Sequence, residues 1–181
     1  MTEPTVESPL AAIDIMLVSH TNAGKTTLVR TLLGRDVGEV ADAPDVTKAV
    51  VAYDLAAVEG RVVLRLWDTP GFGDSFRLVK RLGRKHRWIA WMVRELWDRW
   101  RNPRLWRSQH LALDLRQRAS VILYLVNSLE RPVDAVYVGP ELDVLAWIGK
   151  PVLAILNQGG TPVPGEEEAP RAREWQEALA A

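Results

Sequence analysis

The apolar run Ala12–Val18 stops at Ser19-His20-Thr21-Asn22-Ala23-Gly24-Lys25-Thr26, and a helix-forming stretch follows at once. A strand that hands over to a helix through such a loop restricts the chain to layered α/β folds, and the loop's chemistry narrows it further. Gly24 takes backbone torsions that other residues resist. The loop amides then turn inward as a nest for phosphate oxygens. Lys25 sets a cation beside the β and γ phosphates of a bound nucleotide, and the Thr26 hydroxyl is placed to ligate Mg²⁺. A helix over Gly24–Leu33 points its positive end at the same anion. Asn22, Ala23, Gly24, Lys25, Thr26 and Thr27 form the expected phosphate-binding set. The pattern usually opens with Gly, and here Ser19 stands in that place. Its Cβ would oppose a positive φ, so the sequence predicts a loop that tolerates Ser19. The competing reading is an ordinary turn between a strand and a helix.

A second motif argues against that turn. The apolar strand Val62–Trp67 runs into Asp68-Thr69-Pro70-Gly71. An Asp at a strand end holds Mg²⁺ through water, and a Gly three residues on gives its N–H to the γ-phosphate. Pro-Gly alone is a common turn, but here a fitting strand precedes it and a fitting loop lies upstream. Between the motifs, Thr47 closes the polar stretch Asp42–Thr47. A Thr in such a loop reaches Mg²⁺ and the γ-phosphate only in the triphosphate state, while a solvated polar loop is the other reading. Thr26, Thr47 and Asp68 are the expected Mg²⁺ set. Lys25, Thr47 and Gly71 are the residues expected to touch the transferring phosphoryl group.

Thr21-Asn22-Ala23-Gly24-Lys25-Thr26-Thr27, the lone Thr47 and Trp67-Asp68-Thr69-Pro70-Gly71-Phe72 together resemble the Era/TrmE-like bacterial GTPases. With Arg30-Thr31-Leu32 and Gly38-Glu39-Val40, the chain is similar to the branch that carries a C-terminal domain of unknown function. The resemblance covers roughly residues 12–160 and is more specific in its first half. It implies a three-layer P-loop NTPase domain of the Ras-like kind, GTP and GDP as ligands, Mg²⁺ as cofactor, and hydrolysis of GTP as a molecular switch. Ras-type proteins follow Asp-x-x-Gly with a Gln that orients the attacking water; here that position is Phe72. Some members of the resembled family compensate with K⁺ held by an Asn in the phosphate loop, and Asn22 aligns with it. A cation beside the β–γ bridge acts as an arginine finger does, roughly 10³–10⁵ in rate. A turn residue bonding its own backbone is the alternative for Asn22.

Guanine-specific proteins end a strand in Asn-Lys-x-Asp, whose Asp takes both hydrogens of the guanine edge. The strand Pro151–Leu156 ends instead in Asn157-Gln158-Gly159-Gly160. Asn157 and Gln158 are the expected base-side residues. Losing the charged partner costs about 1.5–3 kcal/mol, so guanine preference over adenine is weakened. The resembled branch also departs from the motif here, and GTP remains the expected nucleotide.

The rest of the chain fits one G domain over residues 12–160, with a loose tail at 1–11 and a connector and short helix at 161–181. Runs at Ala12–Val18, Ala49–Leu55, Val62–Trp67, Val121–Val126 and Val152–Leu156 read as strands of a mainly parallel sheet. Glu59-Gly60 joins two of them as an antiparallel hairpin. Thr161–Pro170 reads as a connector, and Arg171–Ala181 as a helix. A full domain of this kind adds another strand and helix, so the domain is expected to be C-terminally incomplete and part of a longer parent protein. With no Cys, disulfides and thiol metal sites are excluded, and a cytoplasmic setting fits.

Charge is neutral overall but concentrated. Residues 76–107 hold eleven Arg and Lys against Glu95 and Asp98, together with Trp88, Trp91, Trp97, Trp100 and Trp106. The insert, taken as residues 76–116, reads as helical, with Asn102-Pro103 ending its first helix. Three readings stay open. Its Trp face packs on the domain; or it lies on an anionic membrane surface, peripheral at the inner membrane; or it binds RNA through Arg–phosphate contacts and Trp stacking. Two function classes follow, a Mg²⁺-dependent GTPase switch and a non-catalytic nucleotide-binding adaptor. A nucleotide-dependent homodimer enters by family analogy only.

Overall fold

The computed structural model describes residues 12–20, 23–36, 50–72, 75–82, 103–157 and 168–180. Its strands are β1 (Ile13–Ser19), β2 (Val51–Val58), β3 (Arg61–Asp68), β4 (Val121–Asn127) and β5 (Val152–Asn157). Its helices are α1 (Lys25–Leu33), α2 (Ser75–Leu82), α3 (Pro103–Arg118), α4 (Val138–Ile148) and α5 (Glu168–Ala180). The strands form one sheet in the order β2-β3-β1-β4-β5. β1 lies parallel to both β3 and β4, and β4 is parallel to β5. Only β2 runs antiparallel, against β3.

The central position of β1 explains its unbroken apolar sequence. Met16 and Val18 point to one face of the sheet and Leu17 to the other, as a period of two requires. All three are buried. On the first face they meet Leu78 of α2, Leu111 and Leu115 of α3, Val144 and Leu145 of α4, and Trp175 of α5. On the second face Leu17, Leu66 and Leu125 pack against Val29 of α1. The result is the expected α/β three-layer arrangement with a mainly parallel sheet.

The β2–β3 hairpin turns where the sequence indicates. Glu59 (φ 51°) and Gly60 (φ 77°) both take positive φ, as a type I′ turn requires. Two helices carry Pro in their first turn. Pro103 opens α3, since the first turn of a helix needs no N–H from its opening residue. Likewise α5 starts at Glu168, three residues early, and places Pro170 in its first turn, where Pro is tolerated. Most of the Trp/Arg-rich stretch, residues 83–102, lies outside the described residues, as does the segment 1–11.

Candidate functional site

Four parallel strands end on one edge of the sheet, and each ends in a polar residue: Ser19 of β1, Asp68 of β3, Asn127 of β4 and Asn157 of β5. In open α/β sheets this carboxyl edge is where ligands bind. Apolar strand interiors place the sheet, and the polar terminal residues furnish the site.

Gly24 caps α1 in the left-handed region (φ 83°, ψ 24°), with no side chain hydrogen-bonded as a cap and no acidic residue in the first turn. The first helical N–H groups and the positive end of α1 therefore face the site as an anion cradle. Ser19 ends β1 as extended strand; among the described non-glycine residues only Glu59 has positive φ. The conflict expected from its Cβ does not arise. Its hydroxyl instead accepts a 2.8 Å hydrogen bond from Lys25 Nζ and donates to the His20 carbonyl.

Lys25 is only 7% exposed. Burial pulls its ammonium below the usual lysine range, and the Asp68 and Glu141 carboxylates push it back up. Across from it, Thr26 Oγ1 donates to Asp68 Oδ2 at 2.7 Å. Asp68 Oδ1 is buried and has no hydrogen-bond partner. Burial raises the Asp68 carboxyl above its ordinary value, against the opposing pull of Thr26, Lys25 and the Thr69 backbone. An orphaned carboxylate oxygen beside a Thr hydroxyl at a helix N-terminus fits a hard cation such as Mg²⁺. No cluster of three His, Cys, Asp or Glu occurs among the described residues. Mg²⁺ requires none, because it keeps several waters and takes one or two protein oxygens plus substrate phosphates.

The Asp68-Thr69-Pro70-Gly71 turn is tied to the phosphate loop. The Thr69 hydroxyl donates to the Leu17 carbonyl, Phe72 N donates to Ser19 O at 3.0 Å, and His20 bridges Phe72 in parallel register. Gly71, half-buried, is thereby held beside the loop. Phe72 is fully buried in the core, so its side chain offers no polar atom to a water. From the other side, Asn157 Nδ2 donates to the Ala23 carbonyl at 2.8 Å, and the Asn157 carbonyl accepts from Ser128 N and Oγ. The structure thus joins Ser19, Ala23, Gly24, Lys25, Thr26, Asp68, Gly71 and Asn157 in one place. Thr27 lies exposed in the first turn of α1. Asn22, Thr47 and Gln158 lie outside the described residues.

One group has no counterpart in the sequence reading. Glu141 of α4 is completely buried, with Oε1 2.8 Å from His20 Nδ1 and Oε2 accepting from Tyr124 OH at 2.7 Å. Burial raises the Glu141 carboxyl, while the His20 and Tyr124 bonds oppose the rise. Burial also pushes the Tyr124 phenol well up, so it stays a neutral donor. A signal was present: Val138, Glu141, Leu145 and Ile148 recur at helical spacing, which puts a carboxylate on an apolar face.

The family model for the 50S ribosome-binding GTPase matches residues 14–158. The tRNA modification GTPase MnmE of Desulfitobacterium hafniense is 32% identical over 81 residues, 45% of this chain and 17% of that protein. MnmE of Agrobacterium fabrum is 38% identical over 69 residues, 38% of this chain and 15% of its own length. The chain thus spans less than a fifth of these relatives. Among solved structures, Era in complex with MgGDPNP and part of 16S ribosomal RNA aligns at TM-score 0.60 and 18% identity, covering 93% of this chain and 47% of that one. A probable GTP-binding protein engB aligns at TM-score 0.54 and 15% identity, covering 92% of this chain and 80% of that one. At these identities the structural likeness establishes the fold.

Proposed function

The chain belongs to the 50S ribosome-binding GTPase family and carries its P-loop GTPase domain, and on that premise we propose that it binds GTP with Mg²⁺ and hydrolyses it to GDP as a molecular switch. The observation that carries this reading is the buried, unpartnered Asp68 Oδ1 beside the Thr26 hydroxyl at the start of α1. When bound, Mg²⁺ would be held by Thr26, Asp68 and, in the triphosphate state, Thr47, and would supply charge neutralisation on the β and γ phosphates. Lys25 gives up its Ser19 hydroxyl for phosphate oxygens and stabilises the charge that builds during transfer. The amides of residues 22–27 cradle the phosphates, and Gly71 offers its N–H to the γ-phosphate. Asn157 and Gln158 flank the base. Titration with fluorescent GTP and ATP, each with and without Mg²⁺, tests the reading. Mg²⁺-dependent binding with GTP favoured supports it; no binding of either nucleotide refutes it.

The buried Phe72 leaves the attacking water without a side chain from that position. We assign the compensating charge to K⁺ at Asn22, so hydrolysis is faster in potassium than in sodium; equal rates, with Asn22→Ala harmless, would remove the idea. Residues 76–107 are assigned to an anionic partner on their excess of Arg and Lys. The solved Era complex contains 16S ribosomal RNA, which favours RNA over a membrane surface. An RNA shift assay and vesicle flotation, each at two salt concentrations, separate the two. No helix among the described residues is long and apolar enough to cross a membrane. Nucleotide-dependent pairing of two copies is tested by light scattering with GDP and with a GTP analogue.

A further inference from the structure

Two carboxylates are buried among the described residues, and the GTPase reading uses only Asp68. Glu141 stands on the face of α4 that otherwise gives Val138, Val144, Leu145 and Ile148 to the core. A carboxylate there is unfavourable unless its oxygens are hydrogen-bonded. Both are, and the two partners differ in kind. Tyr124 belongs to β4, where it pairs in register with Val18 of β1, so its hydroxyl is a fixed structural donor. His20 belongs to the phosphate loop itself.

His20 is fixed in three ways. Glu141 Oε1 sets its direction at Nδ1. The Tyr137 ring stacks on it at 4.0 Å between centroids and 16° between planes. Its backbone bridges Phe72, the residue that follows Gly71. Tyr137 is itself held, its hydroxyl donating to Glu130 Oε2 at 2.8 Å. His20 is therefore the point where α4 grips both the phosphate loop and the turn that offers Gly71.

We propose that Glu141 is a positioning residue for the nucleotide site, anchoring His20 and through it the first turn of the phosphate loop and the Gly71 turn. The proposal deepens the GTPase reading and rests on it. Glu141 touches no nucleotide; it preorganises the groups that do, so its loss weakens binding by making the loop order itself when ligand arrives.

The test separates positioning from structure. Tyr124→Phe removes the structural donor but leaves the Glu141–His20 contact. Adding Glu141→Met in that background replaces both buried partners by apolar groups of similar shape, which keeps the fold nearly as stable. Affinity for fluorescent GDP with Mg²⁺ is read on each variant, with urea midpoints as a fold check. Tyr124→Phe is expected to lose less than about threefold, and the Tyr124→Phe/Glu141→Met pair about tenfold. His20→Ala also loses about tenfold, and adding it to the pair costs nothing more, because all act through one contact. His20→Asn, whose amide nitrogen takes the place of Nδ1, regains most of the affinity. Equal affinity of Tyr124→Phe with and without Glu141→Met, multiplying losses with His20→Ala, or no recovery in His20→Asn overturns the proposal. If the Glu141→Met pair does not fold, the contrast between His20→Ala and His20→Asn decides. Wild-type protein that binds no nucleotide defeats the GTPase reading itself, a result distinct from any of these.

Discussion

Thr26→Val keeps the shape of the side chain and removes only the hydroxyl that donates to Asp68 Oδ2 at 2.7 Å. Asp68 Oδ1 already lacks a partner, so the variant leaves the buried carboxylate with the Thr69 backbone as support and without the Thr26 hydroxyl. A hydrogen bond to a charged group contributes about 1.5–3 kcal/mol. The loss therefore pushes the Asp68 carboxyl further above its already raised value. Asp68 is 2% exposed, so solvent screening does not shrink this figure. The sign follows from linkage. Thr26 stabilises the ionised form, so the cost of losing it is full above the variant's folded Asp68 pKa. It fades as pH falls through that value and the lower wild-type one, where Asp68 takes up its own proton. Urea denaturation without nucleotide or Mg²⁺ should therefore show Thr26→Val less stable by about 1.5–3 kcal/mol at pH 8 and closer to wild type as pH is lowered. Thr26→Ser, which keeps the donor, should lose less. A Thr26→Val protein as stable as wild type at pH 8, or a deficit that does not change with pH, would refute the account of Asp68.

Asn157→Ala leaves the buried Ala23 carbonyl without its 2.8 Å donor, so nucleotide affinity should fall by about 1–3 kcal/mol; Asn157→Asp, which opposes a carboxylate to a carbonyl oxygen, should fall further in the same fluorescence titration. Gly60→Ala meets no atom within 4 Å but sits at φ +77°, so urea unfolding should register a loss of about 1–2 kcal/mol from the backbone alone, with Gly60→Asn losing less. Trp175 is 1% exposed and donates to the Glu130 carbonyl at 3.1 Å. Trp175→Ala should cost about 3–5 kcal/mol in thermal or urea unfolding, and Trp175→Phe only about 1 kcal/mol.

Much of the fold was legible because local and global signals agree. β1, β4 and the Asp68 end of β3 read as apolar runs closed by polar residues, and the Glu59-Gly60 turn carries its own chemistry. The phosphate loop was legible for the same reason, since Gly24, Lys25 and Thr26 have backbone and charge requirements that few alternatives meet. Ser19 is tolerated in the loop, as expected of a small residue, because it keeps an extended backbone. Its actual contribution is a hydroxyl for Lys25, a side-chain contact that spacing cannot reveal. His20 and Glu141 lie 121 positions apart, so only the crossing of β1, β4 and α4 brings them together. The helix start at Glu168 was missed because Pro170 reads as a stop, although a first turn accepts it.

The bonds around the loop also explain why a degraded base motif need not dismantle the phosphate site. The loop is held at Ser19 by the Phe72 amide, at Ala23 by Asn157 and at His20 by Glu141. These contacts reach it from beyond β3, from the end of β5 and from α4. Asn157 therefore has a structural duty toward Ala23 that is separate from any contact with a base. Replacing the Lys and Asp of the usual Asn-Lys-x-Asp pattern by Gln158 and Gly160 leaves that duty intact, while replacing Asn157 would not. On this argument, restoring the base-reading residues with Gln158→Lys and Gly160→Asp should sharpen GTP over ATP by roughly ten- to a hundredfold. It should leave the Mg²⁺ dependence of binding unchanged, because that dependence is proposed to originate at Thr26 and Asp68. A titration in which the double substitution changes the Mg²⁺ requirement and not the purine preference would show that the two halves of the site are not separable in this way.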